Sequence, residues 1–274
     1  MILKTLVDDV VRVTVAEVMI GLVFFQAERF RPSIVDQYRI RRGMFVDLGF
    51  VYVAMTIAFV FTAVGFTSFV DHLGDAGTLG TLGRIQRATA AIPLPLQFVM
   101  AIVVSDFFGY WKHRLMHVRL LWPVHAIHHS SEEVDWLSNE RIHPVEFVLT
   151  SLFHTVPLVL LGMPTAIVLW AGQIRRFHSL YEHANLELGY GNLHRLFVSP
   201  MLHRWHHVRD EKLAGKNYAN VFSFFDWIFG TLYLPTKSPE KGSFGLAQPI
   251  ADDFKGQLCA PFTAIFRRDR KTAG

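Results

Sequence analysis

Every histidine of the chain except His72 falls between His113 and His207, and one long apolar run, residues 145–170, cuts that stretch in two. If the run crossed a bilayer once, the histidines on its two sides would face opposite leaflets and could not meet. The run is interrupted by His154, Pro157, Gly162 and Pro164. At about 1.5 Å rise per residue its halves are too short to cross twice in full. A helical hairpin that enters the apolar layer and turns back is therefore expected, with both groups of histidines on one side.

Other apolar stretches support a membrane setting. Charged residues make up 18% of the 274-residue chain and Phe contributes 24 positions. Soluble domains usually carry about 25% charge. Residues 44–70 are apolar apart from Asp47, long enough for the roughly 20 residues a bilayer needs. They follow Arg29, Arg31, Arg39, Arg41 and Arg42, basic residues of the kind that stay cytoplasmic. Residues 71–90, with Gly74, Gly77, Gly80 and Gly83, read as a loop, and residues 91–110 as a returning span. Residues 10–27, broken by Arg12 and Glu17, suit a spanning or interfacial helix, and 252–270 an interfacial one. The expected fold is all-α: an integral-membrane helical bundle of three to four membrane segments, one a re-entrant or helical hairpin, with a cytosolic His-rich helical cap. Residues 1–100 would form N-terminal membrane helices, 101–235 a His-rich domain including the hairpin 145–172, and 236–274 a C-terminal interfacial tail. The single Cys259 excludes a disulfide framework or a multi-cysteine metal site. Lys and Arg total 27 against 23 Asp and Glu, an excess too small to point to nucleic acid.

Three histidine clusters carry the chemistry. His113 and His117 stand four apart, hence on one helical face. His125, His128 and His129 form an HxxHH segment, and His203, His206 and His207 repeat it. Two histidines so spaced chelate one metal, as in HExxH zinc proteases. Eight imidazoles are too many for one zinc, and imidazole suits iron, copper and zinc alike. Two adjacent metals with open positions suit O₂ binding and C–H oxidation, for which soluble di-iron bundles use Glu and Glu-x-x-His ligands. His72, His154 and His194 read as ordinary surface or core residues. Glu132, Glu133, Asp135, Glu140 and Glu182 read as solvated surface near the clusters.

The motifs resemble the sterol desaturase/fatty acid hydroxylase superfamily of membrane di-iron oxygenases. The resemblance rests on Asp106, Tyr110 through Arg114 with His117, Trp122 through Ser130, Arg141-Ile142-His143-Pro144, His183-Ala184-Asn185, Ser199 through His207, Asn217-Tyr218 and Asp226 through Tyr233, covering roughly residues 100–235. It implies two iron ions, with zinc as a substitute, held by His113, His117, His125, His128, His129, His183, His203, His206 and His207. Some members carry a further histidine where this chain has Ser179, so His178 and His143 are candidates for a tenth ligand. Asp106, two turns before His113, is a candidate partner for an imidazole N–H. The implied activity is O₂-dependent hydroxylation or desaturation of a lipid, fatty acyl, sterol or related, by a multi-pass membrane protein whose histidines lie on the cytoplasmic side. Electrons would come from a cytochrome b5-like or ferredoxin-like donor. Arg175, Arg176, Arg204, Arg209, Lys212 and Lys216 offer a surface for an acidic carrier or for lipid headgroups. Rival readings are a membrane metal-binding or transport protein, whose ligands should lie near the bilayer middle, and a zinc-dependent membrane hydrolase, for which HExxH is missing.

Overall fold

A computed structural model describes residues 2–38, 40–41, 43–61 and 80–272. Arg39, Arg42, the end of the expected 44–70 span, and the loop with His72, Gly74 and Gly77 lie outside the described residues. Among those described, the structure is helical, with two isolated β-bridges and no strands. The helices are α1 (Ile2–Phe30), α2 (Met44–Phe61), α3 (Gly80–Ala90), α4 (Leu94–Met116), α5 (Trp122–His125), α6 (Pro144–Leu160), α7 (Thr165–His183), α8 (Pro200–His203), α9 (Glu211–Ala214), α10 (Phe224–Ile228) and α11 (Phe254–Thr272).

Proline sets several of the starts. Pro95, Pro123, Pro144 and Pro200 occupy first-turn positions in α4, α5, α6 and α8. There a missing N–H costs nothing and the fixed φ favours the helix. Two caps reinforce this: His143 Nδ1 accepts the Val145 N–H at 3.2 Å, and Ser199 Oγ accepts the Leu202 N–H at 3.3 Å.

The central element is α4, which packs along α6 and α7. The chain reverses between α6 and α7 at Gly162, whose φ of +73° is open to glycine without strain. The two helices run as an adjacent pair joined by this turn. Near its turn, Leu158, Met163, Ile167 and Ala171 pack against Ala101 of α4. The histidines gather at the opposite end, around the C-termini of α4 and α7.

Residues 80–90 are a correction: they form α3, not a loop. A Cβ on Gly162 would lie 2.9 Å from the Gln86 side chain, so α3 packs against the hairpin turn. Tertiary packing outweighs the weak helix propensity of Gly80 and Gly83. Only α4, among the described residues, is both long and apolar enough to cross a membrane; Met44–Ala54 and α6 are shorter apolar helices. A stripe on α1 (Val11, Val15, Val18, Met19, Leu22) and another on α7 (Leu169, Trp170, Ile174, Phe177) are exposed, while Phe24 of α1 packs on Trp136 and Phe177.

Candidate metal centre

Nine histidines from four stretches of the chain converge at the end of α4. Nitrogens of His113, His117, His125, His129 and His206 form one group within 4.8 Å of one another. A second comprises His128, His183 and His207, and shares His183 with a set of Glu182, His183 and His203. The two abut: the His129 and His207 rings stack with centroids 4.5 Å apart.

The HxxHH segments do not present three imidazoles on one helical face. Each is a single α-turn followed by a tighter 3₁₀ turn (α5 then His128–Ser130, α8 then Arg204–His207). This change of pitch divides the segment. His125 and His129 enter the first group while His128 enters the second; His206 enters the first and His207 the second, with His203 in the adjoining Glu182–His183 set. Each segment serves both groups.

Ring orientations are fixed from behind. The Nδ1–H of His113 donates to the Tyr218 carbonyl at 2.8 Å, that of His206 to the Lys216 carbonyl at 2.7 Å, and that of His183 to the Ser179 carbonyl at 2.7 Å. His125 Nδ1–H donates to both oxygens of Glu146 at 2.9 Å. With the proton held at Nδ1 in these four rings, their Nε2 lone pairs face inward, and the Nε2 atoms of the other rings meet them. They approach one another closely: His117–His206 3.1 Å, His125–His129 3.2 Å, His128–His183 3.1 Å, His183–His203 3.2 Å and His203–His207 3.3 Å. Facing lone pairs repel unless a cation lies between them. Metal–nitrogen bonds of about 2.0–2.1 Å place two nitrogens on one ion roughly 3 Å apart. The donor set therefore fits metal ions.

Electrostatics agree. Burial, with neighbouring imidazoles, pushes His117, His128, His129, His203 and His207 well below their ordinary range. Burial also lowers His206 to about 3 and His183 to about 4. Neutral imidazole is the form that binds metal. Glu182 is raised well above the usual carboxylate range by burial. Its Oε1 lies 3.8 Å from His203 Nε2, and its Oε2 is buried without a partner.

Three candidates fall elsewhere. Asp106 does not touch an imidazole; it accepts the N–H groups of Val221 (3.2 Å) and Phe222 (2.8 Å) and pairs with Arg175 at 3.4 Å. It acts one step back, clamping the loop whose Tyr218 carbonyl orients His113. Asp226 clamps the same loop through the Tyr218 and Ala219 N–H groups. Asn217, at φ +54°, turns that loop, its side chain bonded to the backbone of Leu202 and Tyr233. His143 has both ring nitrogens engaged, Nδ1 as the α6 cap and Nε2 donating to the Leu258 carbonyl at 3.2 Å. It stands outside both groups, as does His178, whose Nδ1 is 3.9 Å from Glu182 Oε2.

Sequence reasoning passed over Glu146 and misread Glu182, Asp135 and Glu140 as surface; Glu146, Glu182 and Asp135 are buried, and Glu140 is partly buried and paired with Arg176. Glu146 also pairs with the buried Lys112 at 3.2 Å. The available signals were its place in the first turn after His143-Pro144 and the position of Glu182 beside His183. The basic surface also needs correcting. Arg175 and Arg204 are buried, Arg204 bonding to Asn185 at 2.8 Å, and Arg176 pairs with Glu17 and Glu140.

Comparison with known proteins bears on the same segment. A family model described as fatty acid hydroxylase matches residues 98–231. The chain is 33% identical over 178 residues to the ornithine lipid hydroxylase of Rhizobium tropici, covering 65% of this chain and 54% of that protein. It is 33% identical over 157 residues to human alkylglycerol monooxygenase, covering 57% and 34% respectively. With methylsterol monooxygenase 2-2 of Arabidopsis thaliana it shares 30% identity over 155 residues, 52% of this chain and 56% of that one. It thus spans about a third to just over half the length of these relatives. No solved structure matches. The family match opens inside α4, closes at Thr231 and encloses every histidine of both groups; over this segment the chain is a match to the fatty acid hydroxylase family.

Proposed function

We propose that this protein is a membrane-bound, non-haem di-iron oxygenase that hydroxylates or desaturates a lipid. The observation that carries the reading is the pair of adjoining histidine groups with inward-facing Nε2 atoms. His113, His117, His125, His129 and His206 would hold one iron. His128, His183, His203 and His207 would hold the other, with Glu182 as the carboxylate in place of a tenth histidine. A paired iron centre supplies reductive activation of O₂ and removal of hydrogen from an unactivated C–H bond. In hydroxylation one oxygen atom enters the substrate and the other leaves as water, with two electrons and two protons supplied from outside.

The protein's own residues do the positioning. Backbone carbonyls and Glu146 keep the ring protons at Nδ1, as metal-bound histidines require. Burial excludes water from the reacting carbon. A cavity of about 220 Å³ between α4, α6 and α7 reaches His113, His125, His128, His183 and His203, and would receive the substrate. The apolar α4 and the exposed stripes on α1 and α7 would seat the protein in the bilayer, with the histidines at the cytoplasmic side. The electron donor would be a separate cytochrome b5-like or ferredoxin-like protein.

Two measurements test this. Metal analysis of protein expressed in iron-replete cells should give two irons per chain. Lipid profiles of cells with and without the gene should differ by a product one oxygen heavier or two hydrogens lighter. Zinc alone, together with hydrolysed rather than oxidised lipid, would reject the reading.

A further inference from the structure

The cavity beside the histidines is lined by polar groups that no protein atom satisfies. Thr150 Oγ1, His154 Nε2, Arg175 Nε and Asn220 Oδ1 are buried without hydrogen-bond partners, and all four residues line it. Their arrangement follows from helix periodicity. Glu146, Thr150 and His154 repeat every four residues along one face of α6. Thr150 and His154 therefore stand about 6 and 12 Å beyond the Glu146 that touches His125. From the facing side, Arg175 and His154 reach into the space left at Gly109, where a Cβ would lie 2.6 Å from Arg175 Nη2 and 2.7 Å from His154 Nε2.

A plain hydrocarbon chain in this cavity would leave every one of these groups unsatisfied. The chemistry also selects among polar ligands. Arg175 Nε offers only a donor, Asn220 Oδ1 only an acceptor, and the Thr150 hydroxyl both. The cations are already matched: Arg175 by Asp106, Lys112 by Glu146, and Arg176 by Glu17 and Glu140. A carboxylate or phosphate would find no free positive charge.

We infer that the cavity binds a neutral group that both donates and accepts hydrogen bonds, a hydroxyl or a secondary amide, so that the substrate is a lipid held by such a group within a few bonds of the oxidised carbon. The consequence for the oxidised position rests on the oxygenase reading, but the binding preference does not.

The test is therefore made without turnover, on the full metal-loaded chain in detergent under argon. Native mass spectrometry counts adducts when hexadecane, 1-hexadecanol, N-hexadecylacetamide and hexadecanoate compete at equal concentration. The alcohol and amide adducts should exceed the alkane and the carboxylate by about tenfold or more. The double substitution Thr150→Val, His154→Leu should bring them down to the alkane level with metal content unchanged. If that variant does not fold, Gly172→Phe serves. Gly172 lines the cavity and a Cβ there meets nothing within 4 Å, so the ring should enter and suppress all four adducts. Dominance of the alkane or the carboxylate in the wild type, an unchanged preference in the double variant, or full binding in Gly172→Phe would overturn the inference. Failure of the oxygenase reading would appear separately, as an absent oxidised lipid with this preference intact.

Discussion

Glu146 makes the two histidine groups separable. It accepts the His125 Nδ1–H with both oxygens and pairs with Lys112, so it touches the first group and not the second. Replacing it with Gln keeps the shape and one acceptor but removes the charge that makes His125 a stronger ligand. Loss of such a partner lowers metal affinity by about 10- to 100-fold, equivalent to roughly 1.4–2.7 kcal/mol. In the second group His183 keeps its contact with the Ser179 carbonyl, which the substitution does not touch. Anaerobic titration of metal-free protein with ferrous iron should therefore show one of two ions weakened by that factor and the other within about threefold of wild type. Glu146→Gln and Glu146→Ala both strand the buried Lys112 charge and should carry a fold penalty, since stranding one member of a buried ion pair costs about 3–5 kcal/mol. Lys112→Met combined with Glu146→Gln should relieve that penalty without restoring the weakened ion. Equal weakening of both ions in Glu146→Gln, or of neither, would refute the assignment of Glu146 to one group.

Other substitutions probe the remaining roles. His206→Ala and His128→Ala, which remove one imidazole from the first and second group respectively, should each abolish the oxidised lipid while leaving membrane insertion intact, as read by lipid profiling and fractionation. His143→Ala should leave iron content at the wild-type level and lower stability by about 0.5–2 kcal/mol through loss of the α6 cap, with His143→Asn recovering most of it in thermal melts. Gly109→Ala should cost about 1–3 kcal/mol, because its methyl group collides with Arg175 and His154. Asp106→Asn should destabilise by about 3–5 kcal/mol by stranding buried Arg175, and partial activity at low temperature would confirm that it supports the loop and does not bind metal.

Much of this arrangement is legible in the sequence because the constraints are local. Proline and glycine punctuation marks the α6–α7 reversal, and the i, i+4 spacing of His113 and His117, and of His125 and His129, places each pair in one group. What is not legible depends on partners distant in sequence. Nothing near Asp106 tells that its oxygens meet backbone N–H groups at 221 and 222, or that His143 spends both nitrogens on Val145 and Leu258. The division of each HxxHH segment depends on a switch from α to 3₁₀ pitch after its first histidine, and the motif alone does not encode it. Buried Glu182 looked like surface because charge in a sequence is ordinarily a sign of solvent, whereas here Asn220 and His203 enclose it.

The crosswise sharing of the two HxxHH segments has a consequence for assembly. An ion captured by either group clips together stretches of backbone some eighty residues apart and, in doing so, draws the leftover imidazole of each stretch into place for its neighbour. Metal present while the chain folds should therefore help build both groups at once, whereas in the folded protein each ion would be held by its own ligands.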